Sequence, residues 1–266
     1  MRTFIGLLCL CSFAALARSE MVTKTISYDA NGTSFRSFLV YDSGQTTGKK
    51  VPGVLVFPEW WGLNDFDKQK GEELARLGYV ALVVDMYGDG RSTTNPEEAK
   101  ALAGQLYGKP LMAERAQLGL DQLQKTGLVD DSKLGAIGFC LGGAVSQALA
   151  YTGAPLKGIV SFHGALIPAP ADAGEKTRAR FLLLHGGLDP LVTKDQVEAF
   201  LHALNQQKLN YEFIVYSGAV HAFMNPDADK IHAAGMQGVG YNPEVAGRAW
   251  HEMEEFFREA FGASQG

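Results

Sequence analysis

Residues 137–144 read IGFCLGGA. The hydrophobic run KLGAIGF (133–139) predicts a buried strand, and residues 141–151 predict a helix, so Cys140 falls at the turn between them. A strand-to-helix turn tight enough to lift one side chain clear of a sheet leaves no room for neighbouring Cβ atoms. It therefore calls for glycine two residues before and two after, and Gly138 and Gly142 stand at those positions. The helix N-terminus, carrying roughly half a positive charge, attracts a negative sulfur there. The Leu141 amide is left free to face a developing oxyanion. The plainer alternative is a small buried cysteine in a βα turn, and glycine on both flanks argues against it.

A thiol nucleophile needs a base and a group that orients the base. HGGLDPLV (185–192) and YSGAVHAF (216–223) supply candidates, Asp189 and His221, each just past a predicted strand. That is the edge where such sheets place their ligands, and the order nucleophile, acid, histidine suits an elbow of this kind. Taken singly, Asp189 is also a turn former before Pro190 and His221 a solvated loop histidine. Other histidines fit less well: His185 lies in a strand, His202 and His251 in helices and His232 in a loop, while His163 ends a strand near the site and is the rival, or else a residue that binds substrate. FPEWWGLND (57–65) follows the first core strand. It offers the Trp60 amide as a second oxyanion donor. Glu59, a carboxylate where water is scarce, could hold the thiol's proton or hydrogen-bond the thiol; alternatively it is a rim residue paired with Arg91. Trp61, Phe223 and Met224 are apolar neighbours suited to a substrate's uncharged part.

The rest of the chain agrees with one architecture. KTISYDANGTSFRSFLVYD (24–42) reads as a hairpin around Asn31-Gly32. From Val51 short apolar strands alternate with helices at 65–77, 96–106, 110–126, 141–151, 193–207 and 243–261. This predicts a mostly parallel sheet with helices on both faces and an N-terminal antiparallel hairpin. Without a flexible linker or repeat, residues 20–266 form one domain. Residues 1–19 open with Arg2, run apolar from Phe4 to Leu16 and end in Ala15-Leu16-Ala17, the pattern of a secretory signal peptide. That run is shorter than the ~20 residues a bilayer span needs. Export to the periplasm or medium is expected, leaving Cys140 as the one thiol once Cys9 and Cys11 are removed. A net charge of −5 excludes a basic footprint for nucleic acid. No membrane insertion, metal site, phosphate loop or dinucleotide fingerprint is expected, and the protein is expected to be a monomer.

PEWWGL, VVDMYG, IGFCLGG, SFHG, LLLHGGLDPLV and AVHAF, spread over 58–223, together resemble the dienelactone hydrolase family of the α/β-hydrolase superfamily. The resemblance implies an α/β-hydrolase fold and a carboxylic ester hydrolase of the carboxymethylenebutenolidase type, with no cofactor and a small ester or lactone as substrate. It implies a Cys140-His221-Asp189 triad with a thioester intermediate, and Glu59 as an auxiliary carboxylate that keeps the resting thiol protonated until substrate displaces it. The family's type enzymes hold an anionic substrate with two arginines. Arg91 matches the first, whereas Asn225 stands where the second would be, so neutral or mono-anionic esters are expected ahead of dianionic lactones. The competing reading is a non-catalytic or redox-responsive binding protein on the same fold, with Cys140 as a thiol sensor.

Overall fold

The computed structural model describes residues 19–262. The expected signal peptide at 1–19 lies outside them except for Ser19, whose hydroxyl donates to Asp42 at 2.6 Å. β1 (Met21–Ala30) and β2 (Thr33–Asp42) pair antiparallel. Asn31 and Gly32 join them at φ 51° and 76°, the left-handed pair that matches the twist of a two-residue hairpin. A helical turn, α1 (Ser43–Thr46), is capped by the Asp42 side chain. β3 (Val51–Phe57), α2 (Asp65–Arg76) and β4 (Val80–Val83) follow. α2 starts in a capping box between Asn64 and Asp67 and stops before Gly78 at φ 91°.

β4 is shorter than the apolar stretch 79–87 suggests. The buried carboxylate of Asp85 accepts hydrogen bonds from the backbone amides of Arg36 (2.9 Å), Tyr87 (3.0 Å), Gly88 (2.8 Å) and Gly90 (2.7 Å). It thereby turns the chain out of the sheet. Next come α3 (Pro96–Ala103), α4 (Leu111–Lys125), β5 (Val129–Phe139), α5 (Leu141–Tyr151), β6 (Leu156–Phe162), the short α6 (Ala173–Lys176), β7 (Arg180–Gly186), α7 (Lys194–Gln206) and β8 (Tyr211–Tyr216). The chain closes with α8 (Ala228–Ala233) and α9 (Pro243–Ala260). α8 was not expected, and His232 belongs to it rather than to a loop.

The strands form one eight-stranded sheet in the order β1-β2-β4-β3-β5-β6-β7-β8, parallel from β4 to β8. Residues of the central strands alternate between two cores. Leu55, Leu82, Ala136 and Ile159 pack with apolar residues of α3, α4, α5 and α7. Val54, Val56, Ile137 and Val160 pack on the other face with α2 and α9. Burying both faces explains why these strands read as continuous hydrophobic runs.

The turn from β5 into α5 holds Cys140 at φ 52° and ψ −112°, a conformation that costs a non-glycine residue about 1–3 kcal/mol. The turn is pinned by Cys140 N–H donating to the Phe162 carbonyl (3.1 Å), and by Gly143 and Ala165 amides donating to the Cys140 carbonyl (3.1 and 3.2 Å). A Cβ on Gly138 would collide with the Gly142 carbonyl, and one on Gly142 with the Phe57 carbonyl at the end of β3. Both obstacles are backbone, so neither can rotate away. We therefore expect Gly142→Ala to lose at least ~2 kcal/mol, about 4–8 °C of thermal midpoint for a chain of this size. A circular dichroism melt checks this; an unchanged midpoint would mean that α5 does not dock so tightly on β3.

Candidate active site

Four loops at the C-terminal edge of the sheet carry the site. Cys140 heads α5, Glu59 and Trp60 follow β3, Asp189 follows β7 and His221 follows β8. The His221 loop is strapped to the 238–240 segment: its amide donates to the Gly238 carbonyl (3.2 Å), and its carbonyl accepts from Gly240 (3.0 Å). His221 Nδ1 and Asp189 Oδ2 are 2.8 Å apart, with the Asp189 side chain fully buried. Asp189 Oδ1 accepts from the amides of Leu191 (2.8 Å) and Val192 (3.3 Å). The residue is thus a turn former and a histidine partner together, each role using one oxygen. With Nδ1 engaged by a carboxylate, the other ring nitrogen, Nε2, is buried and makes no hydrogen bond.

Cys140 and His221 line one cavity of about 310 Å³, together with Glu59, Trp60, Trp61, Tyr107, Leu191, Ile231, Met236 and other apolar residues. Among the described residues its wall contains no lysine or arginine. A more open cleft of about 800 Å³ adjoins it, sharing Trp61 and Ile231 and reaching Asn225. Burial disfavours a charged His221, but the adjacent Cys140 sulfur and the Asp189 carboxylate outweigh it and push the imidazolium up to about 10. Glu59 is 3% exposed. Its burial raises the carboxyl to about 7 against the opposing pull of the Asn225 amide and His221.

The Glu59 carbonyl accepts from Gly62 N–H at 3.2 Å, which fixes the Glu59–Trp60 peptide. Tyr87 Oη donates to the Trp60 carbonyl at 2.8 Å, holding the next peptide. The Trp60 amide itself makes no hydrogen bond within the described residues. Leu141 is the first residue of α5, so its amide is one of those that no helical carbonyl can reach. Of the two candidate oxyanion donors, Trp60 lines the cavity and Leu141 directly follows Cys140, which does.

Four residues expected at the substrate lie elsewhere, and one of them, Met224, is 2% exposed and packs in the core with Phe223. Arg91 projects to the surface, its side chain 58% exposed and 3.9 Å from Glu98. It meets neither the cavity nor Glu59, because the loop folded around Asp85 carries it outward. Phe223 is fully buried in the core, edge-on to Tyr216 and His163. His163, at φ 41°, is also fully buried and packs edge-on behind the His221 ring at a centroid distance of 5.2 Å. Neither of its ring nitrogens has a partner, and burial holds it neutral, well below the ordinary histidine value. Trp61, by contrast, does line the cavity. Sequence reasoning missed Tyr107, Leu191 and Met236, loop residues of no regular periodicity. It also gave Asn225 no partner, whereas Asn225 Nδ2 donates to Glu59 Oε2 at 2.6 Å.

A model of the dienelactone hydrolase family matches residues 37–261. A Saccharolobus solfataricus protein named as a candidate carboxymethylenebutenolidase is 28% identical, over 88% of this chain and 98% of its own. A Bradyrhizobium protein named as a candidate 2-oxo-3-(5-oxofuran-2-ylidene)propanoate lactonase is 27% identical, over 90% of this chain and 96% of its own. Among solved structures, a dienelactone hydrolase-like promiscuous phosphotriesterase from metagenomic libraries is 36% identical, with a TM-score of 0.85 over 91% of this chain and 99% of that one. With its α/β-hydrolase sheet and a family match that runs from the hairpin to the last helix, this chain belongs to the dienelactone hydrolase family and is a hydrolase of that type, a chemistry of ester or lactone bonds.

Proposed function

We propose that the protein hydrolyses uncharged, apolar esters or lactones with Cys140 as nucleophile, His221 as acid and base, Asp189 orienting His221, and Glu59 holding the thiol's proton. The observation that carries this reading is the cavity that brings the elbow thiol beside the Asp189–His221 pair, with no lysine or arginine among the described residues of its wall. In the resting state the proton is shared between Cys140 and Glu59. Substrate binding leaves it on Glu59, and the Cys140 thiolate attacks the acyl carbon. The oxyanion that forms is met by the Leu141 and Trp60 amides. Collapse expels the alkoxide, which takes the proton from the His221 imidazolium, and a thioester remains. Neutral His221 then removes a proton from water. The hydroxide adds to the thioester, the acid product leaves with the thiolate–imidazolium pair restored, and Glu59 returns its proton to the sulfur. The net reaction consumes one ester and one water, with no cofactor.

Trp60, Trp61, Tyr107 and Met236 favour apolar acyl or alkoxy groups. With Arg91 paired to Glu98 outside the cavity, the one cationic group among the described residues of the wall is His221, already paired with Asp189, so a substrate carboxylate would be buried without a partner of its own, which is costly. In this reading the enzyme works as a monomer, since one chain completes the cavity. It is exported after loss of residues 1–19, a reading supported by their charge and hydropathy pattern. A thiol sensor would have no need of a base and orienting acid in this arrangement.

The nucleophile is tested by Cys140→Ala, expected to lose at least ~10³-fold in kcat/KM on a neutral aryl ester while keeping its circular dichroism spectrum. Cys140→Ser should be folded and poorly active, because a hydroxyl ionises far less readily than a thiol. Alanine retaining more than about a tenth of the activity would sink the thiol mechanism; a wild type without turnover would leave the sensor reading, which intact-mass detection of an acylated Cys140 would exclude.

Substrate charge is tested by matched esters bearing zero, one or two carboxylates, with a neutral phosphotriester included because a relative is named for that activity. The neutral carboxylic ester should lead the dianionic lactone by at least ~10-fold, and Arg91→Ala should leave the ranking unchanged. A dianion as best substrate, or a selective loss of anionic turnover in Arg91→Ala, would overturn the assignment.

A further inference from the structure

Asn225 lies where a cation was expected and is almost fully buried, at 4% exposure. Its amide can be oriented without ambiguity. Asn225 Oδ1 accepts from the Asp227 backbone N–H at 2.9 Å, and a backbone amide can only donate. Nδ2 is therefore the atom that faces Glu59 Oε2, at 2.6 Å. The main chain of Asn225 is held as well, its N–H donating to the Ala222 carbonyl (3.0 Å) and its carbonyl accepting from Ala228 (3.0 Å).

We propose that Asn225 is a positioning residue that reserves Oε2 of Glu59 for its own amide and so makes Oε1 the oxygen that exchanges a proton with Cys140. This rests on the role given to Glu59 above. Oε2 accepts a hydrogen bond from a group that cannot accept one in return. Oε1 has no hydrogen-bond partner among the described residues, and Glu59 and Cys140 line the same cavity. In the transfer the Cys140 S–H bond breaks, an O–H bond forms at Oε1, and the electron pair stays on sulfur. A lysine or arginine at 225 would lock Glu59 as a carboxylate through an ion pair. A neutral amide secures its orientation and leaves it free to titrate.

Several groups surround Glu59. His221 and Cys140 share the cavity, and His221 favours the carboxylate. Asp227, just before α8, opposes it. From α2, Asp67 is fully buried, with Oδ1 unpartnered and its own carboxyl held far above the usual range by burial. Against these the Asn225 hydrogen bond lowers the Glu59 pKa, so its removal must raise it.

The test is the pH profile of kcat/KM on a neutral aryl ester for wild type, Asn225→Asp, Asn225→Leu and Glu59→Gln, each checked for folding by circular dichroism. Asn225→Asp keeps the acceptor for Asp227 and the shape of the side chain, which protects against misfolding. Glu59 must be ionised to take the thiol's proton, so activity should fall as pH drops through about 7. Both Asn225 variants should move that acid limb upward by about 1–2 pH units, with the high-pH plateau within about threefold of wild type. Glu59→Gln should abolish the limb. If the limb vanishes in Glu59→Gln yet stays in place in either folded Asn225 variant, Asn225 is merely structural and the inference fails alone. If Glu59→Gln keeps the wild-type limb, the role of Glu59 fails and that of Asn225 with it.

Discussion

The first turn of α5 passes so close to the end of β3 that no side chain fits between Gly142 and the Phe57 carbonyl. Everything at the site follows from that approach. It sets the sharp turn that places Cys140 at positive φ. It sets the first turn of α5 against Phe57 and Pro58, just before Glu59 and Trp60. The strain at Cys140 is local and small beside the burial of the sheet's two faces. Three backbone hydrogen bonds and the packing of α5 hold it in place. The fold thus stores about 1–3 kcal/mol of unfavourable backbone geometry at the one turn that lifts the Cys140 side chain clear of its neighbours.

Dryness sets the electrostatics. Glu59, Asp67, Asp189, His163 and His221 are all buried within a short distance of the cavity, and an isolated charge there would be costly. Each is handled differently. Asp189 is satisfied by two amides and an imidazole. His163 is kept neutral and packs as an aromatic face against His221. Asp67 is pushed toward its neutral form while capping α2. Glu59 sits between these cases, with one amide donor and a pKa near neutrality. That intermediate position fits the proton-exchanging role proposed for Glu59, since such a group works best with a pKa near the operating pH.

The family relationship explains why esters and lactones are the substrates to consider, while the cavity wall argues about which ones. Relatives of 27–28% identity carry lactonase or carboxymethylenebutenolidase names, and a structure at 36% identity is described as a promiscuous phosphotriesterase. Names so diverse on one scaffold fit a division of labour in which the elbow and its partners set the chemistry and loop residues set the substrate. Tyr107, Leu191, Ile231 and Met236 come from such loops or from the short α8.

Local backbone chemistry was legible in the chain of letters. Asn31-Gly32 specified the hairpin because both residues tolerate left-handed φ. Gly138 and Gly142 marked the elbow because only glycine survives its close approaches. The apolar runs marked strands buried on both faces, and their spacing set Cys140, Asp189 and His221 on one edge in the expected order. What depended on distant partners was not legible. Glu59 and Asn225 meet across 166 positions. Asp85 ends β4 by gathering amides from its own loop and from β2, and so sends Arg91 to the surface. Phe223 and His163 end in the core because the layers behind His221 close over them, leaving neither exposed. Periodicity and turn residues act over a few positions and can be read directly. A side chain's hydrogen-bond partner, and whether it faces a cavity or a core, is decided only when remote segments pack, and that packing gave Asn225 its place beside Glu59.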